Sequence, residues 1–171
     1  MDKFSTLKRS ISSIVTLTDE ELLIFYNSFT VQKLAKNELF LEEGDICDYI
    51  GFVNYGVLIY YKHKDNGDDI TIDFSFEEDW VTVNQSRLNN SESLINIKAI
   101  ETTELLVITQ QNLSDLYIRI PKLERLGRIL MEQSFLRIAQ QSIDLQLLSA
   151  TDRYKRLVCN YPKILQRVPL H

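Results

Sequence analysis

A single long helical pattern near the C-terminus constrains this chain more than any other feature. Pro121 suits the first position of a helix, because its missing N–H is not needed there, and nothing breaks the pattern before about Ser149. About 27 residues at about 1.5 Å each predict a rod about 40 Å long. A chain of 171 residues rarely needs a helix of that length for its own packing. We therefore expect the rod to contact something else.

The predicted rod is apolar on two sides. One stripe consists of Leu126, Ile129, Leu136, Ile143 and Leu147, and the other consists of Leu123, Met131, Phe135, Ile138 and Leu145. Because a helix with two apolar faces needs two partners, we expect one partner in its own chain and the other in the same helix of a second subunit. The alternative is a helix enclosed in one large core. The predicted homodimer interface comprises Leu123, Gly127, Met131, Phe135, Ile138, Ser142 and Leu145.

The first third of the chain predicts two short helices followed by strands. The first helix is indicated by the spacing of Phe4, Leu7, Ile11 and Ile14, and the second by a capping box from Thr18 to Glu21. From about Phe29 to Thr109, short runs of Val, Ile, Phe and Tyr alternate with turn residues. This pattern is typical of a sandwich or barrel. Thr109 then caps a further helix that ends near Arg119.

The clearest turn is Asn66-Gly67, which predicts a two-residue type I′ hairpin between residues 57–63 and 70–76. Along the second of these strands, polar and apolar residues alternate. Thr71, Asp73 and Ser75 alternate with Ile70, Ile72, Phe74 and Phe76. We expect the polar side of this strand to face water and the apolar side to be buried.

The net charge of -5 is unevenly distributed. Residues 1–116 hold 9 Lys and Arg against 20 Asp and Glu, whereas residues 117–171 hold 10 against 4. The basic tail indicates a polyanion such as nucleic acid as a partner, or else a solvated helix face. Because the sequence lacks the pattern of a signal peptide and any long apolar stretch, we expect a cytoplasmic protein.

Residues suited to catalysis or metal binding are sparse. Neither His63, in a Lys-His-Lys run, nor the terminal His171 is placed as a base beside a nucleophile. Cys47 and Cys159 lack CxxC or CxxH neighbours, so we expect free thiols. The acidic run at 77–79 is interpreted as a solvated turn and not as a cation site. We therefore expect no enzymatic activity, no cofactor and no metal.

The order of elements resembles the Crp/Fnr family of bacterial transcription regulators over about residues 20–171. The residues that carry the resemblance are Glu43-Gly44-Asp45, Tyr49–Val53, Tyr55–Tyr60, Ser149–Tyr154, Leu157, Tyr161-Pro162 and Val168-Pro169-Leu170. The resemblance implies an α+β fold, in which a jelly-roll-like antiparallel β-roll follows N-terminal helices and precedes a long dimerisation helix. We expect a cyclic-nucleotide-binding-like sensor over 1–120, the dimerisation helix over 121–148, and the hinge and first helices of an incomplete helix-turn-helix domain over 149–171.

The chain departs from the family in its effector pocket. Members that bind cyclic AMP carry a Gly-Glu pair, whose Glu binds the ribose hydroxyl, and an Arg that pairs with the cyclic phosphate. Thr82-Val83 stands in place of the pair, and Ser93 stands in place of the Arg. Without that Arg, a ligand phosphate forfeits about 1.5–3 kcal/mol, or about ten- to a hundredfold in affinity. We therefore expect an altered or vestigial pocket that does not bind cyclic AMP.

Seven residues form the candidate effector pocket implied by the resemblance. They are Thr82, Val83, Arg87, Ser93, Leu94, Ile138 and Ala139. Ile138 and Ala139 occupy positions at which family members turn polar groups toward the base. Arg87 could supply a replacement charge, but a solvated loop arginine is the favoured interpretation.

A second departure concerns the DNA reader. The sequence reaches His171 where Val168-Pro169-Leu170 resembles the opening of the family's helix-turn-helix, so we expect the recognition helix to lie outside it. The residues predicted to contact DNA phosphates are Thr151, Arg153, Lys155, Arg156, Lys163 and Arg167.

Three functions are compatible with these patterns. The leading hypothesis is a dimeric DNA-binding regulator with an unidentified small-molecule effector. Its rival is a stand-alone β-roll module that holds a small ligand or a protein partner and touches no DNA. The third is an intact cyclic nucleotide receptor, which rests on the fold alone.

Overall fold

The computed structural model describes residues 4–64, 66–162 and 164–168. The chain divides into two units, Met1–Leu123 and Glu124–His171. Each unit has its own arrangement of elements, and the candidate effector pocket draws most of its residues from the first.

Two helices open the first unit, as the sequence predicts. Helix α1 spans Ser5–Ser12 and buries Leu7 and Ile11, and helix α2 spans Asp19–Asn27. The predicted capping box of α2 is confirmed, because the Glu21 N–H donates to the Thr18 hydroxyl at 3.2 Å and the Thr18 N–H donates to the Glu21 carboxylate at 2.7 Å.

Eight strands and two further helices complete the first unit. The strands are β1 (Thr30–Leu34), β2 (Leu39–Leu41), β3 (Tyr49–Tyr55), β4 (Leu58–His63), β5 (Asp69–Ser75), β6 (Trp80–Val81), β7 (Asn96–Ala99) and β8 (Thr103–Thr109), and the helices are α3 (Asn84–Asn89) and α4 (Gln110–Arg119). They form two antiparallel four-stranded sheets, in the orders β1-β8-β3-β6 and β2-β7-β4-β5. Side chains of both sheets form one core that includes Leu34, Phe40, Val53, Leu58, Ile97 and Leu105. The predicted α+β fold with an antiparallel β-roll is confirmed.

The turn between β4 and β5 is longer than predicted. The strands pair as a hairpin, but the Lys64 N–H donates to the Asp68 carbonyl, and the Gly67 N–H donates to the Lys64 carbonyl. These bonds enclose three residues, so the two-residue type I′ turn was wrong. The last residue of such a three-residue loop has a positive φ, and Gly67 supplies it here with a φ of +86°. The glycine therefore correctly indicated a hairpin but not the type of its turn.

The predicted faces of β5 were also wrong. Ser75 pairs with Leu58 and Asp73 pairs with Tyr60, and both partners are buried. Since directly paired residues share a face, Ser75 and Asp73 lie on the side of β5 that faces the core, whereas Ile70 and Ile72 are 44% and 52% exposed. The register shifts between Tyr60 and Tyr61, where Ile72 of β5 is the extra residue, so the alternation of sides is interrupted within β5.

Gly56 lies at a close approach between β3 and β8. Its φ is +104°, and a Cβ atom at this position would lie 2.3 Å from Oγ1 and 2.6 Å from Cα of Thr103. Thr103 is fully buried and belongs to β8. Only glycine fits here, because any side chain would be strained by the backbone and would overlap the neighbouring strand.

The second unit is helical. Helix α5 spans Lys122–Leu147, so it starts in the last residues of the first unit and runs for about 39 Å at about 1.5 Å per residue. Helix α6 spans Ala150–Asn160, and helix α7 spans Ile164–Arg167. The long uninterrupted helix is therefore present. Among the described residues, no helix is both long enough and apolar enough to cross a membrane.

Candidate effector site and coupling helices

Thr82 and Val83 lie between β6 and α3, where the family's Gly-Glu pair is expected. Val83 precedes the first residue of α3, is 9% exposed and packs in the core of the roll. The Thr82 hydroxyl donates to the carbonyl of Tyr49 at 2.9 Å. Neither side chain therefore offers a carboxylate to a ribose, and the hydroxyl of Thr82 is already bound to the backbone.

Ser93 lies where the phosphate-binding arginine is expected, and it is 1% exposed. Its hydroxyl donates to the carbonyl of Ile95 at 2.7 Å. Its backbone binds the Gly44-Asp45 turn in both directions, since the Gly44 N–H donates to the Ser93 carbonyl and the Ser93 N–H donates to the Asp45 carbonyl. The serine therefore closes the loop onto the turn and carries no positive charge for a ligand.

Ser86 and Cys47 connect α3 to the same wall of the roll. The Cys47 N–H donates to the Ser86 hydroxyl at 2.9 Å, and that hydroxyl donates to the Ser91 carbonyl at 2.5 Å. The Cys47 thiol, which is fully buried, donates to the Tyr49 carbonyl. Burial also raises the pKa of the Tyr49 phenol, which donates to the Phe40 carbonyl. Sequence reasoning did not identify this network, because its partners lie up to 39 residues apart.

Arg87 is not the solvated loop arginine that was favoured from the sequence. It lies within α3, is half-buried, and binds the side chain of Gln110 at the start of α4. Its second terminal nitrogen donates to the Asn84 side chain at 2.8 Å. Burial lowers the pKa of the guanidinium. Arg87 therefore links α3 to α4, and its two terminal nitrogens are used within the protein.

Leu94 and a neighbouring lysine form the exposed edge of this loop. The Leu94 side chain is 59% exposed. The Lys62 ammonium donates to the Leu94 carbonyl at 2.9 Å and to the Glu43 carboxylate at 2.7 Å. Lys62 was not among the predicted site residues, and its charge is paired.

The predicted dimer residues on α5 differ in exposure. Leu123 is 2% exposed, so its side chain is covered within its own chain and is not available to a second subunit. Gly127 is half-buried and Ser142 is exposed. The large apolar members are exposed by 41% at Met131, 70% at Phe135, 56% at Ile138 and 66% at Leu145. With Ser142 they follow an alternating spacing of four and three residues, which is the heptad spacing of a coiled coil.

Two predicted pocket residues, Ile138 and Ala139, belong to this same stretch of α5. Ile138 is exposed and Ala139 is half-buried. Both lie in the second unit, whereas Thr82, Val83, Arg87, Ser93 and Leu94 lie in the first.

The predicted DNA-contact residues lie on α6 and α7. Thr151 and Lys155 are exposed, and Lys155 is 3.9 Å from the Asp152 carboxylate. Arg153 and Arg156 bind groups of α5, namely the Leu148 carbonyl and the Asp144 carboxylate. Arg167 is half-buried at the end of α7. The predicted contact Lys163, the terminal His171, and Pro169 and Leu170 of the helix-turn-helix start lie outside the described residues.

The acidic run at 77–79 is an ordered turn between β5 and β6. The Gly56 N–H donates to the Glu77 carboxylate at 3.1 Å, and the Phe76 N–H donates to the Asp79 carboxylate at 2.8 Å. Glu78 pairs with Arg9 of α1. Within residues 4–64, 66–162 and 164–168, no group of three or more His, Cys, Asp or Glu side chains is arranged to hold a metal ion. Cys47 and Cys159 are both free thiols.

The family of the chain is shown by a match that covers the β-roll. The family model described as the cyclic nucleotide-binding domain matches residues 31–119, just over half of the sequence. The chain belongs to the cyclic nucleotide-binding domain family. The match spans β1 to α4, so Thr82, Val83, Arg87, Ser93 and Leu94 all lie within the family domain.

Solved structures with the same fold include several cyclic nucleotide-binding domain proteins and regulators. The catabolite activator protein of Thermus thermophilus superposes with a TM-score of 0.62 at 22% identity, covering 83% of this chain and 63% of that protein. The c-di-GMP-responsive global regulator CLP of Xanthomonas campestris gives 0.61 at 15% identity, over 84% of this chain and 72% of that one. The sensor domain of the transcriptional regulator DNR from Pseudomonas aeruginosa gives 0.61 at 14% identity, over 85% and 95%.

These similarities define the fold of the chain. The chain spans less than two thirds of the length of the Thermus protein. No curated protein matches the sequence significantly.

Proposed function

We propose that this cyclic nucleotide-binding domain protein is the sensing and dimerising part of a Crp/Fnr-type transcription regulator that does not respond to cyclic AMP. The proposal rests on the burial and the lack of charge of Val83 and Ser93, which occupy the positions of the family's Glu and Arg. Both are buried, neither is charged, and the Ser93 hydroxyl is used by Ile95. The sensor extends over residues 1–120, the dimerisation helix over 121–148, and the hinge and first DNA-binding helices over 149–171.

The energetic argument concerns the cyclic phosphate. A buried anion must be compensated by a positive charge or by several donors, because it loses its hydration. The two cations beside this loop are already engaged, since the terminal nitrogens of Arg87 donate to Gln110 and Asn84 and the Lys62 ammonium pairs with Glu43. Ser93 stands where the family has its arginine. A cyclic nucleotide would thus find no arginine at position 93, and its affinity would fall by about ten- to a hundredfold from this loss alone.

The dimer is supported by the exposed heptad stripe of α5. Met131, Phe135, Ile138 and Leu145 lie on one side of the helix and are 41–70% exposed in the single chain. Contiguous apolar surface of this kind is costly in water and marks an interaction site. A second copy of the same helix provides the matching spacing and closes the interface by two-fold symmetry.

A sensor that responds to another ligand is compatible with the fold. The similar regulator from Xanthomonas campestris is described as responsive to c-di-GMP. An effector for this chain need not carry a phosphate at the Ser93 position. The basic C-terminal segment, with 10 Lys and Arg against 4 Asp and Glu in residues 117–171, supports DNA as the second partner.

The pocket proposal is tested by calorimetric titration of the protein with cyclic AMP and with cyclic GMP. A family member with both the Glu and the Arg serves as the positive control under the same buffer and salt. We expect heats of dilution only for this protein. Micromolar binding of either nucleotide would overturn the proposal and establish a different phosphate site.

The alternative is a stand-alone β-roll module that binds a ligand or a protein and touches no DNA. The observation that favours it is the acidic charge of residues 1–116. Gel-shift experiments with the intact gene product and the DNA upstream of its gene separate the two functions. A specific complex that weakens steeply with salt supports the regulator, whereas no complex at low salt supports the module.

A further inference from the structure

The link between α5 and α6 is only two residues long, and side chains cross it in both directions. Ser149 caps α6, because its hydroxyl accepts the Asp152 N–H at 3.2 Å. In the other direction, Arg153 of α6 donates to the carbonyl of Leu148 at 2.9 Å. Helix α5 has no basic residue in its own last turn. Arg153 therefore supplies the positive charge that the carbonyl end of a helix attracts.

A second contact fixes α6 one turn further from the link. The Arg156 guanidinium binds the carboxylate of Asp144 on α5. The Asp144 side chain is 14% exposed, and the same oxygen accepts from the Gln140 side chain at 2.7 Å. These two hydrogen bonds, first that of Gln140 and then that of Arg156, hold the pKa of Asp144 below its ordinary value. The carboxylate is therefore charged at neutral pH and available to the arginine.

We propose that Arg153 and Arg156 clamp the hinge and set the direction of α6 relative to α5, and that they do not contact DNA phosphates. The two arginines approach α5 on either side of one helical turn, so together they restrict both tilt and rotation of α6. Two bonds to different atoms of α5 define an orientation that one bond would leave free. The use of this clamp to aim a DNA reader rests on the proposed function, but the clamp itself does not.

Asp144 distinguishes the clamp from a set of phosphate contacts. If Arg156 binds a DNA phosphate, Asp144→Asn removes a repulsive charge and leaves the orientation of α6 unchanged. If Arg156 clamps the hinge, Asp144→Asn and Arg156→Gln break the same contact and have the same effect. The pair Arg128 and Glu132 provides a matched control, because it is an exposed ion pair on α5 upstream of the hinge.

The test measures the distance between nitroxide labels on α5 and α6 by pulsed electron spin resonance. Cys159 on α6 is exposed and can be labelled, whereas Cys47 is buried and stays unmodified. Gln133→Cys supplies the second site on an exposed position of α5. Dilution with unlabelled protein removes distances between subunits. We expect one narrow distribution of label-to-label distances in the parent protein. In both Asp144→Asn and Arg156→Gln we expect this distribution to broaden.

The control Glu132→Gln is expected to keep the narrow distance. A charge exchange, Asp144→Arg with Arg156→Asp, is expected to recover it, since the ion pair is restored in reverse. If Asp144→Asn and Arg156→Gln keep the parent distance, the clamp is overturned. Circular dichroism of each variant identifies any loss of helix, and in that case the charge exchange decides the outcome. Failure of the clamp leaves the calorimetric and gel-shift results for the proposed function unaffected.

Discussion

The interior of the β-roll and the surface of α5 hold similar apolar residues in opposite environments. Leu58, Ile97 and Leu105 in the roll are fully buried, whereas Phe135 and Leu145 on α5 are about two-thirds exposed. The roll therefore supplies its own stability from contacts within one chain. The apolar surface of α5 becomes stabilising only when another molecule covers it. The same apolar residue types thus form the core in the roll and an exposed surface on α5. Which of the two they form depends on whether the same chain covers them.

The largest effect is expected from truncating the interior. Leu105→Ala removes a fully buried core side chain from β8, the strand between β1 and β3, and we expect a loss of about 2–5 kcal/mol in the free energy of unfolding. Leu145→Ala on α5 should change the unfolding of the isolated subunit by less than about 0.5 kcal/mol. Urea unfolding measures both. An equal loss of stability in the two variants would show that Leu145 is enclosed by its own subunit, and would contradict the contrast between the roll and α5.

The close approach at Gly56 tests how tightly the backbone of the roll is packed. Gly56→Ala places a Cβ against Thr103 and requires a positive φ, so we expect a loss of about 3 kcal/mol. Gly67→Ala is the matched control, because its φ of +86° carries similar strain but nothing lies within 4 Å. It should cost about 1 kcal/mol. Comparable urea midpoints for the two variants would contradict the steric account.

The exposed stripe of α5 is tested by a single charge. Ile138→Asp places a carboxylate at the centre of the proposed interface, and we expect the sedimenting mass to fall from that of a dimer to that of a monomer. Gln133→Asp, on an exposed position outside the stripe, should leave the mass unchanged. An unchanged mass in Ile138→Asp would remove this helix from the interface.

The smallest effect concerns the contact between α2 and the first turn of α5. The pKa of Glu21 is lowered by the hydrogen bond from Lys122 and then by the Thr18 N–H. Because the folded-state pKa lies below the ordinary value of 4.5, this carboxylate stabilises the fold above that pH. Its contribution is lost as the pH falls through the lowered pKa. Glu21→Gln should therefore reduce stability slightly at pH 7 and not below the lowered pKa, as measured by melting temperature against pH.

Local interactions were predicted from the sequence, and distant ones were not. The capping box of α2 joins Thr18 and Glu21, three residues apart, and the predicted cap at Thr109 has the same span. The faces of β5 depended on its pairing with β4 and on an extra residue at Ile72, which the alternation along β5 alone does not reveal. The position of Arg87 depended on Gln110, 23 residues away.

The candidate site divides in the same way. The absence of a carboxylate at Val83 and of a cation at Ser93 can be read directly from residue types. Ser93 is unavailable to a ligand because it is bound to Ile95 and to the Gly44-Asp45 turn. The contact with the turn joins segments about 49 residues apart in sequence, and no local sequence pattern predicts a contact over that separation.

The open edge of β5 has a consequence for the solubility of the protein. Ile70 and Ile72 lie on the outermost strand of their sheet, between the carboxylates of Asp69 and Asp73. An edge strand with exposed branched apolar residues can add an identical strand from another molecule, and nearby negative charges oppose that addition. Neutralising the exposed Asp69 would therefore promote aggregation at high concentration.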